Sequence, residues 1–287
     1  MLLSVRDLKA IKIPLQKAGI IFISVVSISA HLFSAFEHYP SNPVAVGSGL
    51  LFINVQANAI GIFADPASVT SFQVRNIGIV SGRRFGLKRL QHHSAVLAQP
   101  YLNKKLYFAT GASFFGDKLY SETIWGMVMG KRVSEKLNIG IGLMYYDLQI
   151  KNYGQASSWG LNLGWRIKLD KSLQWLGSWR NLNSPAVGVS KDEIPQVIVS
   201  ALVFNPIQYA TVVIEWEQDT LYESRLKMGG QFKLLPWATI HAGHASSPGQ
   251  TTAGFEILFK HIKINYAVST HSYLDLSHWF GVGFSLH

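Results

Sequence analysis

Residues 157 to 169, SSWGLNLGWRIKL, alternate without a break: Trp159, Leu161, Leu163, Trp165, Ile167 and Leu169 occupy one parity, and Gly160, Asn162, Gly164, Arg166 and Lys168 the other. A helix would scatter those six apolar groups around its axis, whereas a strand sends them all to one face. The segment therefore reads as a strand whose apolar face needs either a folded core or lipid.

The same rhythm recurs down the chain. Strands are expected at 72–82, 91–101, 105–115, 121–133, 137–150, 157–169, 173–181, 196–204, 209–217, 223–234, 237–245, 251–260, 262–270 and 277–286, fourteen in all. An even number of strands of roughly nine to eleven residues is what a single-chain outer-membrane barrel requires. The connections alternate as well. KRVSEK (131–136), LDKS (169–172), FNPIQ (204–208), LLPW (234–237) and KHI (260–262) are tight, and the intervening ones, such as NLNSPAVGVSKDEIP from Asn181, are mostly longer. Short periplasmic turns and longer outer loops produce that order, while a soluble sandwich has no reason to sort its loops by side.

Composition leans the same way. Apolar residues make up 48% of the chain and charged ones only 15%, against roughly 25% for soluble domains. The formal charge of +10 is spread singly or in pairs, so no basic helix points to nucleic acid. There is no cysteine, which removes disulfides and thiolate metal sites. At the amino end, Arg6, Lys9, Lys12 and Lys17 precede an apolar stretch and then small residues, the pattern of a secretory leader. The expected organisation is a signal peptide over 1–35, cleaved at about 29–35, with a membrane anchor through about Ala35 as the alternative. An N-terminal segment at 36–70 then packs in or under a barrel formed by 71–287.

Strand parity assigns faces. Arg166, Glu215, Glu217, Arg225, Lys227 and Glu256 fall on the inward parity and are the lumen candidates, with cross-strand charge pairing expected between the two glutamates and the basic residues of the following strand. Trp159, Trp216 and Trp279 on the long-loop side and Trp237 on the short-turn side are expected in an interfacial girdle. The closing HWFGVGFSLH sets Phe280, Val282, Phe284 and Leu286 on one face, with Gly281 three residues before Phe284, and resembles the carboxy-terminal insertion signal of outer-membrane barrels. Met127, Met129 and Met144 either line a hydrophobic route or serve as filler.

No catalytic or metal constellation is expected. His241 and His244 are three apart and His92 and His93 adjacent, so on strands each pair splits across two faces. Gly47 and Gly49 lack the lysine of a phosphate loop and any following helix pattern. Their small size suits close packing of backbone inside a barrel instead.

Between the leader and the first strand, the run NPVAVGSGLLFINVQANAIGIFADPASVTSF (42–72) closes on Asp65, Pro66 and Ala67 and is similar to the region preceding the first strand in the PorV/PorQ proteins, where an Asn-Pro-Ala-Gly-Leu motif is usual. Here Asp65 replaces the asparagine, and Ser68 and Val69 stand for Gly-Leu. Further echoes are MGKRVSEKLNIGIGLMYYDLQI, DEIPQVIVSALVFNP and RLKMGGQFKLLPWATIHAGHAS. The resemblance covers roughly 44–286. It implies a FadL-like antiparallel β-barrel of fourteen strands in the outer membrane of a member of the Bacteroidota, without cofactor or enzymatic activity, serving type IX protein secretion or surface assembly. Its expected partners are the bilayer, lipopolysaccharide and a secretion translocon or surface protein. The alternative is a FadL-like transporter whose ligand is a small hydrophobic solute.

Overall fold

The computed structural model describes residues 35–37, 41–53, 58–101 and 105–286. The expected leader lies outside the described residues, apart from Ala35. Fourteen antiparallel strands close into one barrel: β1 (Arg75–Arg83), β2 (Gln91–Tyr101), β3 (Leu106–Gly116), β4 (Tyr120–Arg132), β5 (Leu137–Ile150), β6 (Gly154–Lys168), β7 (Leu173–Arg180), β10 (Val197–Ile207), β11 (Ala210–Asp219), β12 (Arg225–Leu235), β13 (Ala238–Ala245), β14 (Gln250–Phe259), β15 (Ile262–Ser269) and β16 (Ser277–Leu286). Each pairs with its neighbour in sequence, and β1 closes on β16 from Arg75↔Leu286 to Arg83↔His278. β8 (Ala186–Val187) and β9 (Asp192–Glu193) form a separate miniature hairpin inside the long loop after β7. Among the described residues no helix is long and apolar enough to cross a membrane.

The wall obeys its alternation. On β6, Trp159 and Leu161 are exposed, while Gly160, Asn162, Gly164 and Arg166 are buried. The outward row continues as Met127 and Trp125 on β4, Ile214 and Trp216 on β11, Leu226 and Met228 on β12, and Phe280 on β16, all more than two fifths exposed. In water such a continuous apolar band would be far larger than a soluble surface tolerates, so its solvent is the hydrocarbon of a bilayer. The barrel is an outer-membrane barrel.

The first strand begins at Arg75 rather than 72 because Phe72 is buried in the lumen and the residues before it turn. Residues 41–53 and 58–72 lie inside the barrel and include α1 (Pro43–Gly47) and two 3-10 turns, η1 (Ala59–Phe63) and η2 (Pro66–Ser71). Local chemistry starts these elements. Asn42 accepts a hydrogen bond from the Ala45 N–H at 2.9 Å, Asn58 accepts one from Ile60 at 3.1 Å, and prolines at 43 and 66 occupy first-turn positions where a missing N–H is harmless. Ile53, Ile60, Ile62, Phe63 and Phe72 are almost completely buried. Burying each such side chain contributes about 1.5–3 kcal/mol before conformational entropy is subtracted.

The plug sits on wall positions that have no side chain. A Cβ at Gly140 on β5 would run into the Pro66–Ala67 peptide, and one at Gly164 on β6 would come within 2.8 Å of the Ala67 nitrogen. On the opposite wall, a Cβ at Gly229 of β12 or Gly243 of β13 would strike the backbone of Ser48 and Gly49. Gly49 itself has φ +102°, a turn conformation that suits glycine.

Candidate functional site

A plug inside a barrel leaves its own backbone groups in need of partners. The wall supplies them from inward side chains. Asn162 Nδ2 donates to the Phe63 carbonyl at 3.1 Å, Ser178 Oγ to Ala64 at 2.5 Å and Arg132 Nη2 to Thr70 at 2.8 Å. Thr252 Oγ1 donates to the Gly47 carbonyl and accepts from the Gly49 N–H, both at 2.9 Å. Asp65 stands at the N-cap position of η2 without making a cap hydrogen bond. Its carboxylate instead pairs with the Arg166 guanidinium, and both side chains are buried.

The second anchor is ionic and branched. The register of β11 and β12 sets Glu215 opposite Lys227 and Glu217 opposite Arg225. Lys227 Nζ lies 3.2 Å from Glu215 Oε1 and also pairs with Glu217, and Arg225 Nη1 reaches Glu217 at 4.0 Å. Glu215 turns its remaining capacity to the plug, accepting from the N–H groups of Phe52 and Ile53 at 2.9 Å each. The Phe52 ring is then held between two cations, with Lys227 Nζ 3.8 Å and the Arg180 guanidinium 4.0 Å from its centroid. Desolvated cations over an aromatic face are favourable by up to about 2 kcal/mol.

Above Phe52, towards the long loops, opens a cavity of about 570 Å³. Phe36, Leu50, Phe52 and Trp279 give it an apolar floor and wall; Arg84, Arg180 and Arg225 face Glu37, Glu217, Asp219 and Glu223 around it. At its rim Tyr222 donates to Glu37 at 2.5 Å, and the Phe85 N–H donates to Ser277 Oγ at 2.9 Å. Desolvation pushes the Arg84 guanidinium down to about 10, with Glu122 opposing and Arg225 reinforcing the shift. Desolvation and then the hydrogen bond to Glu37 raise the Tyr222 phenol. The loop that carries β8 and β9 turns inward, and its Val187 and Ile194 join the buried apolar cluster of Phe36 and Tyr146, whose rings meet edge to face at 4.9 Å. No group of three or more metal-ligating residues occurs among the described residues.

All six lumen candidates face inward. Arg166, Glu215, Glu217, Lys227 and Glu256 are buried and Arg225 is partly buried. Only Glu256 stands apart from the plug anchors and the vestibule, reaching Lys263 at 3.8 Å on the neighbouring strand. Of the motif Asp65–Ala67, Asp65 anchors the plug, and Pro66 and Ala67 lie on the wall glycines. Trp159, Trp216 and Trp237 are exposed on the outer surface.

Trp279 is a correction: it is 4% exposed and faces the vestibule, not the membrane interface. Its parity opposes that of Phe280, and Gly82 across the seam leaves room for the indole. Phe280 and Leu286 point outward, whereas Gly281 faces inward with Pro43 over it. Met127 and Met129 line a depression of about 600 Å³ in the lipid-facing wall and only Met144 of the three is buried in the lumen, so they form no common route. Arg180 and Phe52 went unnoticed in the sequence. Parity on β7 carries a signal for the arginine, but nothing local marks the phenylalanine.

No family model matches the chain, and no curated protein matches its sequence. Solved structures do match its fold. The Ralstonia pickettii toluene transporter TbuX superposes with a TM-score of 0.66 at 8% identity, over 88% of this chain and 100% of that one. The Pseudomonas putida toluene transporter TodX gives 0.60 at 12% identity, over 88% and 98%. A Pseudomonas aeruginosa FadL homologue gives 0.61 at 10% identity, over 86% and 98%. At these identities the likeness establishes the FadL-like barrel fold.

Proposed function

We propose that this chain is a passive outer-membrane channel for small solutes with a hydrophobic body, which enter at the long-loop end and pass when the N-terminal plug shifts. The observation that carries the reading is the vestibule ending on the plug's own Phe52. Its volume of about 570 Å³ falls within the usual range for small-molecule sites. Its apolar floor suits a hydrophobic body, and the balanced ring of charge orients a polar substituent. Beneath it the lumen is filled by residues held through hydrogen bonds and two ion-pair anchors, so transit needs movement of the plug.

The fold supports this reading because relatives of the same architecture are described as toluene transporters. The secretion or surface-assembly role implied by the PorV/PorQ resemblance ranks second, since none of these relatives is described as a secretion component. The test is binding and uptake of toluene by the full chain reconstituted in liposomes. Saturable quenching of Trp279 fluorescence and uptake above that of empty liposomes are expected, both weakened by Phe52→Ala. Uptake equal to empty liposomes, with no saturable binding, would overturn the proposal.

A further inference from the structure

On the long-loop side the β5–β6 hairpin extends past the end of β7. Its two strands pair from Leu137↔Ile167 up to Ile150↔Gly154. β7 reaches only as high as Leu163↔Trp179, so among the described residues no strand is hydrogen-bonded to Gly154–Asn162 on that side, although β8 packs against β6. The outward side chains show where this upper part lies. Cross-strand rows over β4, β5 and β6 read Met127–Leu143–Leu161, then Trp125–Tyr145–Trp159, then Thr123–Asp147–Ser157, then Ser121–Gln149–Gln155. The rows change from aliphatic to aromatic to polar. Aromatic rings sit at the membrane–water interface, so Gln155 and Ser157 stand in water beyond it.

The direction of the backbone groups follows from the ladder. The Leu161 N–H donates to Asn183 Oδ1 at 2.9 Å, its carbonyl accepts from Leu182 at 2.8 Å, and the Trp159 carbonyl accepts from Asn183 Nδ2 at 2.8 Å. Residues of the other parity turn towards β5, as the Lys168 N–H does in donating to Lys136. In an antiparallel pair the directions alternate, so Ser157 and Gln155 present their N–H and C=O groups to the same open side as Trp159 and Leu161. The Asn183 amide does for Trp159 and Leu161 what the peptide group of an adjoining strand would do. Two residues higher, no described residue takes that role.

Exposed strand edges are normally guarded by lysine, proline or a bulge. Tyr153–Leu161 contains no lysine, arginine, aspartate, glutamate or proline, and its side chains around Ala156 are small. The nearest carboxylate, Asp147, is engaged by Gln149 at 3.0 Å and Gln155 at 2.5 Å. We propose that the edge at Gln155–Ser157 is a docking site for an extended, uncharged segment of a partner polypeptide, which adds to β6 as a strand outside the membrane. A second copy in the same membrane does not fit. Antiparallel self-pairing needs a two-fold axis perpendicular to the barrel wall, which lies in the membrane plane and would invert the copy.

The test uses the full chain in lipid nanodiscs and a fluorescein-labelled heptapeptide of alternating threonine and valine, followed by anisotropy. Saturable binding is expected. It should weaken at least tenfold with the same peptide N-methylated at alternate amides, and at least tenfold in Ser157→Pro, which removes an N–H from the open side and none from the β5 ladder. Gln155→Lys keeps the backbone donors but adds a guarding charge, and should weaken binding comparably even if the proline variant does not fold. Toluene uptake should be unchanged in both variants, so failure here is separable from failure of the transport reading. No saturable binding, or equal binding by Ser157→Pro, Gln155→Lys and the N-methylated peptide, would overturn the proposal.

Discussion

The guanidinium of Arg166 closes on the carboxylate of Asp65, 101 residues earlier in the chain, and ties the plug to the wall from inside the barrel. Removing one member of a buried pair leaves the other charge without compensation, typically at about 3–5 kcal/mol. Asp65→Asn should therefore lower the thermal midpoint and release the plug. Asp65→Asn combined with Arg166→Gln should recover part of the loss. Limited proteolysis and thermal scans on the purified protein check both outcomes.

Glu215 joins Lys227 to the Phe52 and Ile53 N–H groups, so its loss breaks the ion pair and the backbone anchor together. Glu215→Leu should expose the plug, and a cysteine placed at the buried Ala45 should then react with a charged thiosulfonate at least tenfold faster than in the parent. Glu215→Gln keeps an acceptor for the backbone and should fall between the two. Equal rates in all three would show that Glu215 does not hold the plug.

Gly229 and Gly230 are adjacent and differ in face. A methyl at Gly229 meets the Ser48 carbonyl, while one at Gly230 has only Thr211 O at 3.4 Å. Gly229→Ala should displace the plug and open a measurable ion conductance in planar bilayers. Gly230→Ala should leave conductance at the parental value, and both variants should keep the heat-modifiable migration of a closed barrel.

Four tryptophans make a depth test. In single-tryptophan variants, brominated phospholipid should quench Trp159, Trp216 and Trp237 but not Trp279, which is enclosed by the vestibule. Quenching of Trp279 equal to that of Trp159 would reverse its placement.

At the short-turn end, Asp170 accepts from the N–H groups of Ser172 and Leu173 at 2.6 and 2.8 Å, and those donors hold its carboxyl below the ordinary aspartate range. A group whose folded value is depressed contributes stability above its unfolded value, near 3.9, and loses that contribution as pH falls through the folded one. A carboxyl carbon titration of Asp170 should show a midpoint below 3.9. In Asp170→Asn the loss of turn stability as pH falls below about 4 should be smaller than in the parent.

Much of the wall was legible because strand parity is a local property. Two-residue periodicity sends Trp159 and Arg166 to opposite faces whatever the rest of the chain does. The lumen assignments of Glu215, Glu217 and Lys227 followed from the same rule. Long and short connections alternate from β7 onward, but the β3–β4 and β5–β6 turns, Asp117–Leu119 and Lys151–Tyr153, are as tight as those at the other end because their strands run further than the sequence pattern suggests. Trp279 was misplaced because its position near a strand end outweighed its parity, and only the facing Gly82 shows why an indole turns inward there.

The sequence by itself determined the strands, their faces and the even count that lets a barrel close. Tertiary structure decided what fills the barrel. The Asp65–Arg166 and Glu215–Phe52 contacts join residues more than a hundred positions apart, so no periodicity encodes them. The seat for Ser48 on Gly229 and Gly243 depends on the absence of side chains on strands brought together only by closure. Pairing between neighbouring strands is specified by local pattern, whereas contacts across a lumen arise only once the circle is closed.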